Sequence, residues 1–226
     1  MKHSGDYHDY VFRDGKLIGE FEGMYRHSKE VPWHQDRVGY ELNARMTIEL
    51  LREFGPFDEI LDLSCGLGYF LSLLCGQVGV QDCRGVGYDI SETACARAGE
   101  LHPGLSFHPM DVTTVPEDRL DAAQAASGKN RLFAIRGTLW YVYPQLSKLV
   151  KAVRRRMSGP DKLLVAQNFP PLTSDFVGKD VIPDHHALLA HFSTSFAVMR
   201  HLWYEDSRNK KNDNWFIGLF SLKGAE

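Results

Sequence analysis

Gly66 and Gly68 close the stretch Asp62-Leu63-Ser64-Cys65-Gly66-Leu67-Gly68, which follows the apolar pair Ile60-Leu61. Glycine there lets the backbone turn tightly and approach a ligand with no Cβ in the way. A helix starting beside these glycines points free N–H groups at a carboxylate or phosphate. Asp89 stands 21 residues beyond Gly68, at the end of a second apolar run. A carboxylate there can accept hydrogen bonds from both hydroxyls of a ribose. Asp111 closes a third run, where a carboxylate can accept from an adenine amino group. Each acid alone reads equally well as a helix cap or a surface charge. Together, at consecutive strand ends, they describe a nucleoside site, because open α/β sheets bind ligands at the carboxyl ends of their strands.

Such residues need a sheet to position them. The pattern predicts strands at 59–63, 83–89, 105–111, 132–136 and 163–167. Helices are predicted over 38–53, 67–74 and 145–157, with one more capped by Ser91. Gly55-Pro56 ends the first of them. Strands alternating with helices imply a parallel sheet covered on both faces. Residues 196–204 and 215–222 are strand-like runs joined only by the polar loop 205–214, so they read as an antiparallel hairpin. The expected fold is doubly wound α/β, with a mostly parallel seven-stranded sheet, a C-terminal antiparallel hairpin and helices on both faces. Residues 1–40 differ in character. Tyr7, Tyr10, Phe12, Phe21, Tyr25 and Trp33 are too many rings for a disordered tail. This segment is expected to be an ordered extension, or lid, packed on a single domain spanning 41–226.

Composition narrows the partners. The 226 residues suffice for one such domain, and 43% hydrophobic with 24% charged residues is an ordinary globular balance. A net charge of −3 with no basic stripe argues against a nucleic-acid partner. The run Arg154-Arg155-Arg156 reads as the basic end of a helix whose apolar stripe is Leu146, Leu149, Val150 and Val153. No apolar run is long enough for a bilayer, and the first residues are polar, so no membrane association and a cytoplasmic location are expected. Cys65, Cys75, Cys83 and Cys95 lack zinc-site spacing and read as free thiols. The adjacent His185 and His186 are expected to point apart, so no metal is expected.

The motifs Ile60 to Gly68, Gly87-Tyr88-Asp89-Ile90-Ser91 and Met110-Asp111-Val112 resemble those of class I S-adenosylmethionine-dependent methyltransferases, small-molecule type. The resemblance covers roughly residues 55 to 225, including the terminal hairpin. It implies that S-adenosylmethionine is the cofactor and S-adenosylhomocysteine the product. It places Gly66 and Gly68 around the methionine part, Asp62 at its amino end, Asp89 on the ribose and Asp111 at the adenine. Ser64, Cys65, Ile90, Met110, Val112 and Arg136 join this cofactor set by their places in or beside the motifs. The family commonly has glycine where Ser64 stands, which implies a slightly different loop. The Asn/Asp-Pro-Pro-Tyr/Phe motif of amino-group and base methyltransferases is replaced by Arg136-Gly137-Thr138-Leu139-Trp140-Tyr141, which points to a small-molecule acceptor.

For that acceptor the candidates are Trp33, Tyr25 and Asn168, with His34 and Tyr141 as candidate catalytic residues. The segment around Trp33 is similar to the start of bacterial methyltransferases acting on sugars and lipooligosaccharide precursors. The expected activity is methyl transfer to a sugar or related biosynthetic intermediate, by a monomer or homodimer. Two other readings remain open at this stage. One is a non-catalytic protein that binds the cofactor or its product. The other is a nicotinamide-dependent oxidoreductase, although its third motif glycine would fall on Leu71.

Overall fold

Strands with apolar residues on both faces belong inside a parallel sheet, and Arg131–Arg136 and Lys162–Phe169 have this pattern, nearly every residue being buried. The computed structural model describes residues 4–13, 16–114, 129–170, 176–205 and 214–224. Along the chain these form α1 (His8–Val11), β1 (Phe12–Arg13), β2 (Lys16–Leu17), α2 (Phe21–His27) and a 3₁₀ segment (Pro32–Tyr40). Next come α3 (Leu42–Arg52), β3 (Phe57–Asp62), α4 (Tyr69–Val78), β4 (Gly79–Asp89), α5 (Glu92–Leu101) and β5 (Ser106–Pro109). The rest is β6 (Arg131–Arg136), α6 (Leu139–Val142), a 3₁₀ turn (Tyr143–Gln145), α7 (Leu146–Arg156), β7 (Lys162–Phe169), α8 (His185–Ser193), β8 (Phe196–Tyr204) and β9 (Asn214–Leu222).

The main sheet has seven strands in the order β5-β4-β3-β6-β7-β9-β8. The first five run parallel, while β9 pairs antiparallel with both β7 and β8. One face buries a core around Phe133, Leu149, Val165 and Phe216 under α7 and α8. The other buries Ile48, Ile60, Leu74 and Leu164 under α3 and α4. The mixed sheet, the hairpin and the helices on both faces are those expected from the sequence.

Several boundaries differ. The helix expected over 38–53 starts at Leu42, because residues 32–40 wind into the tighter 3₁₀ form and Glu41 is extended. The helix expected from Leu67 begins at Tyr69, since Gly68 is left-handed and caps it. The third strand stops at Pro109, leaving Met110 and Asp111 just beyond it. A helix absent from the sequence reading, α8, lies between β7 and β8, capped by the Asp184 carboxylate on the Ala187 N–H at 2.8 Å. His185 and His186 sit in its first turn, and their rings lie 4.0 Å apart rather than pointing away from each other, with His185 stacked on Trp203. Among the described residues no group of three or more His, Cys, Asp or Glu side chains could hold a metal. No described helix is long and apolar enough to cross a membrane. Residues 206–213 of the hairpin loop and 1–3 of the N-terminal segment lie outside the described residues.

Candidate cofactor and acceptor site

The chain winds outward from β3 through β4 to β5, then returns to β6 on the other side of β3. Neighbouring connections therefore leave in opposite directions, and a crevice opens above the strand ends. A cavity of about 500 Å³ lies there. Asp62 ends β3, Asp89 ends β4 and Arg136 ends β6, and all three line it. Of the candidate catalytic, cofactor and acceptor residues named from the sequence, every one except Gly68 lines this cavity.

The two loop glycines are required for different reasons. Gly66 has φ +52, and a Cβ on it would lie 2.4 Å from Gln35 Oε1 and 2.7 Å from the Tyr25 hydroxyl. Gly68 has φ +80, and its Cβ would meet Phe107 Cζ at 2.6 Å. So Gly66 makes room for the N-terminal segment above the loop, while Gly68 shapes the loop from behind. Ser64 is not in the left-handed region, so serine in place of the usual glycine carries no backbone strain. Its N–H donates to Asp62 Oδ1 at 3.2 Å.

Asp89 is held at both oxygens. Oδ2 accepts the Gly66 N–H at 2.9 Å and Oδ1 the Ser91 N–H at 3.0 Å. Burial raises its carboxyl above the ordinary range, and these N–H bonds oppose the shift. Asp62 is only 2% exposed. Burial pushes its carboxyl up to about 7, against the pull of the Ser64 N–H and of nearby Arg136. Asp111 Oδ1 accepts from both the N–H and the hydroxyl of Thr113, at 2.8 and 2.7 Å.

Beside the end of β7, two amides are fixed by groups that can only donate. The Leu139 N–H donates to Gln167 Oε1 at 3.0 Å, so Gln167 presents its Nε2. That Nε2 and the Trp140 indole N–H both donate to Asn168 Oδ1 at 3.0 Å. An indole N–H has no acceptor capacity, so the Asn168 amide must turn its own Nδ2 away. Asn168 lines the cavity, and Nδ2 has no partner among the described residues.

The N-terminal segment covers the cavity. Trp33 has φ 52 and ψ 21, and His34 φ 49 and ψ 40. Two successive left-handed residues cost on the order of 1–3 kcal/mol each, a strain that surrounding packing must hold. Here the packing is aromatic. The Trp33 ring lies within 6.5 Å, centroid to centroid, of Tyr7, Phe21, Tyr25 and Tyr141. Burial among these rings pushes the Tyr141 phenol above its ordinary range. Polar contacts fasten the segment from both sides. Gln35 Oε1 accepts the Leu67 N–H at 2.8 Å, and Gln35 Nε2 donates to the Tyr25 hydroxyl at 3.0 Å. Glu22 accepts from the Ser91 hydroxyl at 2.6 Å and the Thr93 N–H at 3.1 Å. Burial acts to raise the Glu22 carboxyl, but the bonds from Ser91, Thr93 and Arg26 together pull it down to about 2.

Gln35, Glu41 and Trp215 are among the cavity residues without a role in the sequence analysis, and Glu22 joins them as a fastener of the covering segment. Trp215 had a usable signal, since the sequence places it in the last strand, and in the structure it pairs with Asn168. Glu22 and Gln35 had none, because their partners lie 69 and 32 residues away.

No family model and no curated protein matches the chain. Solved structures do. The N-methyltransferase NodS from Bradyrhizobium japonicum, in complex with S-adenosylhomocysteine, superposes with a TM-score of 0.63 at 12% identity, covering 96% of each chain. A structure described under conversion of a disulfide bond into a thioacetal during echinomycin biosynthesis gives 0.62 at 16% identity, over 89% of this chain and 91% of that one. A TehB-like S-adenosylmethionine-dependent methyltransferase from Corynebacterium glutamicum gives 0.54 at 12% identity, over 85% and 100%. With the strand order and the switch-point cavity, these likenesses give the chain the class I S-adenosylmethionine-dependent methyltransferase fold.

Proposed function

We propose that this protein transfers a methyl group from S-adenosylmethionine to a small-molecule acceptor, a sugar or related biosynthetic intermediate, in the cytoplasm. One observation carries the reading. The Asp89 carboxylate is fixed by the Gly66 and Ser91 N–H groups at the end of β4, in the same cavity as Asp62 and Asp111. A carboxylate oxygen has two lone pairs, so Asp89 can still accept ribose hydroxyls while holding the loop. Asp111, Ile90, Met110 and Val112 take the adenine. Asp62, Ser64, Cys65 and Gly66 take the methionine end. The donor set fits the cofactor, because a buried acid in need of a cation meets the ammonium end.

When bound, the cofactor supplies an activated methyl group on a sulfonium. The protein's part is to orient the acceptor and exclude water. Tyr25 and Trp33 of the N-terminal segment, which acts as the lid, wall the cavity together with Tyr141. Tyr141 stays a protonated phenol and so donates hydrogen bonds rather than taking a proton. His34 is the group placed to receive a proton from an acceptor that must lose one. Asn168 presents its Nδ2 to an oxygen of the acceptor.

Calorimetric titration with S-adenosylhomocysteine and with NADH, on wild type and Asp89→Ala, tests this reading. Wild type should bind the homocysteine nucleoside, and Asp89→Ala should weaken it by about 1–3 kcal/mol. Binding of NADH instead, or of neither, overturns it.

A further inference from the structure

The free cysteines are of two kinds. Cys65 and Cys95 are buried, while Cys75 and Cys83 are half-buried and within reach of small solutes. Cys75 lies in the last turn of α4 and Cys83 in β4, and their Sγ atoms are 4.0 Å apart. A disulfide holds its sulfurs about 2.05 Å apart, so the pair stands one small side-chain movement from a bond.

The sequence builds this meeting. Phe57 pairs with Gly79 and Glu59 with Arg84, so two steps along β3 match five along β4. The extra residues bulge out of the ladder and fold Cys83 back over the start of its strand. A Cβ on Gly79 would lie 2.5 Å from Cys83 Cβ, 2.7 Å from its Sγ and 2.6 Å from the Cys75 carbonyl oxygen. A Cβ on Gly85 would lie 2.7 Å from Cys75 Sγ and 2.7 Å from Leu105 Cδ2. Neither glycine has a positive φ, so the backbone does not call for them. Each leaves room where a sulfur sits.

Two thiols in contact can share a metal or oxidise to each other. Among the described residues no third His, Cys, Asp or Glu completes a metal site with them, and two sulfurs fall short of the set that holds a structural zinc. Oxidation needs the pair alone. The contact between them lowers the Cys83 thiol and raises that of Cys75. Cys83 is therefore the sulfur that ionises first, and the thiolate is the reactive form.

We propose that Cys75 and Cys83 close to a reversible disulfide when the protein meets hydrogen peroxide, stapling the end of α4 to β4. The Cys83 sulfur attacks one peroxide oxygen, the O–O bond breaks, and a sulfenic acid forms as the first water leaves. The Cys75 sulfur then displaces the sulfenic hydroxyl as a second water, and the S–S bond forms. Both thiol protons end in the waters, and two electrons pass from the sulfurs to the peroxide. Glutathione reverses the bond by thiol exchange, so the pair stays open in a reducing compartment. Neither sulfur lines the cavity, so the staple hardens the fold without filling the site.

Peptide mapping of wild type tests this without a variant. Reduced protein is treated with a small excess of hydrogen peroxide while folded, then unfolded, alkylated and cut with chymotrypsin. Cleavage after Leu74 and Tyr88 leaves Cys75 and Cys83 on one fragment, apart from Cys65 and Cys95. That fragment should escape alkylation and weigh two hydrogens less than its dithiol form, while Cys65 and Cys95 are alkylated. The oxidised protein should melt about 5–10 °C higher than the reduced one, as for closing a short loop, and dithiothreitol should reverse the rise. In Cys83→Ser and in Cys75→Ser the same peroxide should bring no rise. Alkylation of both cysteines, added oxygen on either in place of the bond, or a bond to Cys65 or Cys95 overturns the proposal. So does a bond that leaves the melting temperature unchanged.

Discussion

Gln35 Oε1 accepts the backbone N–H of Leu67 at 2.8 Å, tying the N-terminal segment directly to the glycine loop. The same side chain donates to Tyr25, whose hydroxyl lies over Gly66. Gln35→Leu keeps the bulk and removes both bonds. It should lower the unfolding free energy by about 1–2 kcal/mol, one to two ordinary hydrogen bonds. Hydrogen exchange should speed up at Leu67 and across residues 21–40 while the sheet stays protected. Unchanged exchange at Leu67 would contradict the bond.

Gly66 and Ser64 occupy the same loop but should respond oppositely. Gly66→Ala forces a side chain into a left-handed position against Gln35 and Tyr25. A loss of about 1–3 kcal/mol is expected from backbone strain and displaced neighbours, read as a lower melting temperature. Ser64→Gly relieves nothing, because Ser64 is not strained. Its effect should stay within about 1 kcal/mol, the entropic cost of glycine. Equal damage from both changes would mean that Gly66 is not held in the left-handed conformation.

Asp62 makes ligand binding depend on pH. Burial pushes its carboxyl up to about 7. An ammonium-bearing ligand favours the carboxylate, so binding expels a proton. Affinity for S-adenosylhomocysteine should therefore rise as pH goes from about 6 to 8, and calorimetry in buffers of different ionisation heat should show proton release. Asp62→Asn should flatten both effects. Fold stability runs the other way. The carboxyl is raised from 3.8 to about 7, so the folded protein holds a proton that the unfolded chain has released. That stabilising contribution is full below 3.8 and is lost as pH rises through about 7. Denaturant titrations of the empty wild type and Asp62→Asn across this range would show it.

Far from the cavity, Arg131 and Asp161 form a buried pair at 2.5 Å, 6% and 0% exposed at their side chains. Asp161 also accepts the Ser158 N–H and hydroxyl, tying the end of α7 to the start of β7. Arg131→Met removes one charge and strands the other. Losses of about 3–5 kcal/mol follow when one partner of a buried pair is deleted. The double variant with Asp161→Asn should recover part of that loss. No recovery would mean that Arg131 acts by packing alone.

The glycine loop was legible because its signal is local. Two glycines, a preceding acid and an apolar strand lie within nine residues, and Asp89 and Asp111 follow at the ends of recognisable strands. The acids kept their place on the cavity even where the strand bounds moved, because β4 runs parallel beside β3 and β5 parallel beside β4. What escaped was set by distance or by backbone form. Nothing near Glu22 announces Ser91, and nothing near Gln35 announces Leu67. The left-handed turn at Trp33 and His34 goes against the preference of both residues, so no local rule finds it. Helix α8 carries few buried residues, Leu188 and Phe192, and gave little periodicity to follow.

The placement of β9 bears on how the chain can assemble. It follows β8 in sequence yet lies between β7 and β8, pairing along eight positions with each. Until it arrives, β7 presents an open, apolar edge and β8 has no place in the sheet. During synthesis on a ribosome the parallel half can form first, but the sheet stays unsealed until residues 214–222 have emerged. Release of a chain broken off before that strand would expose a template for edge-to-edge pairing, so such fragments should aggregate rather than persist as smaller soluble folds.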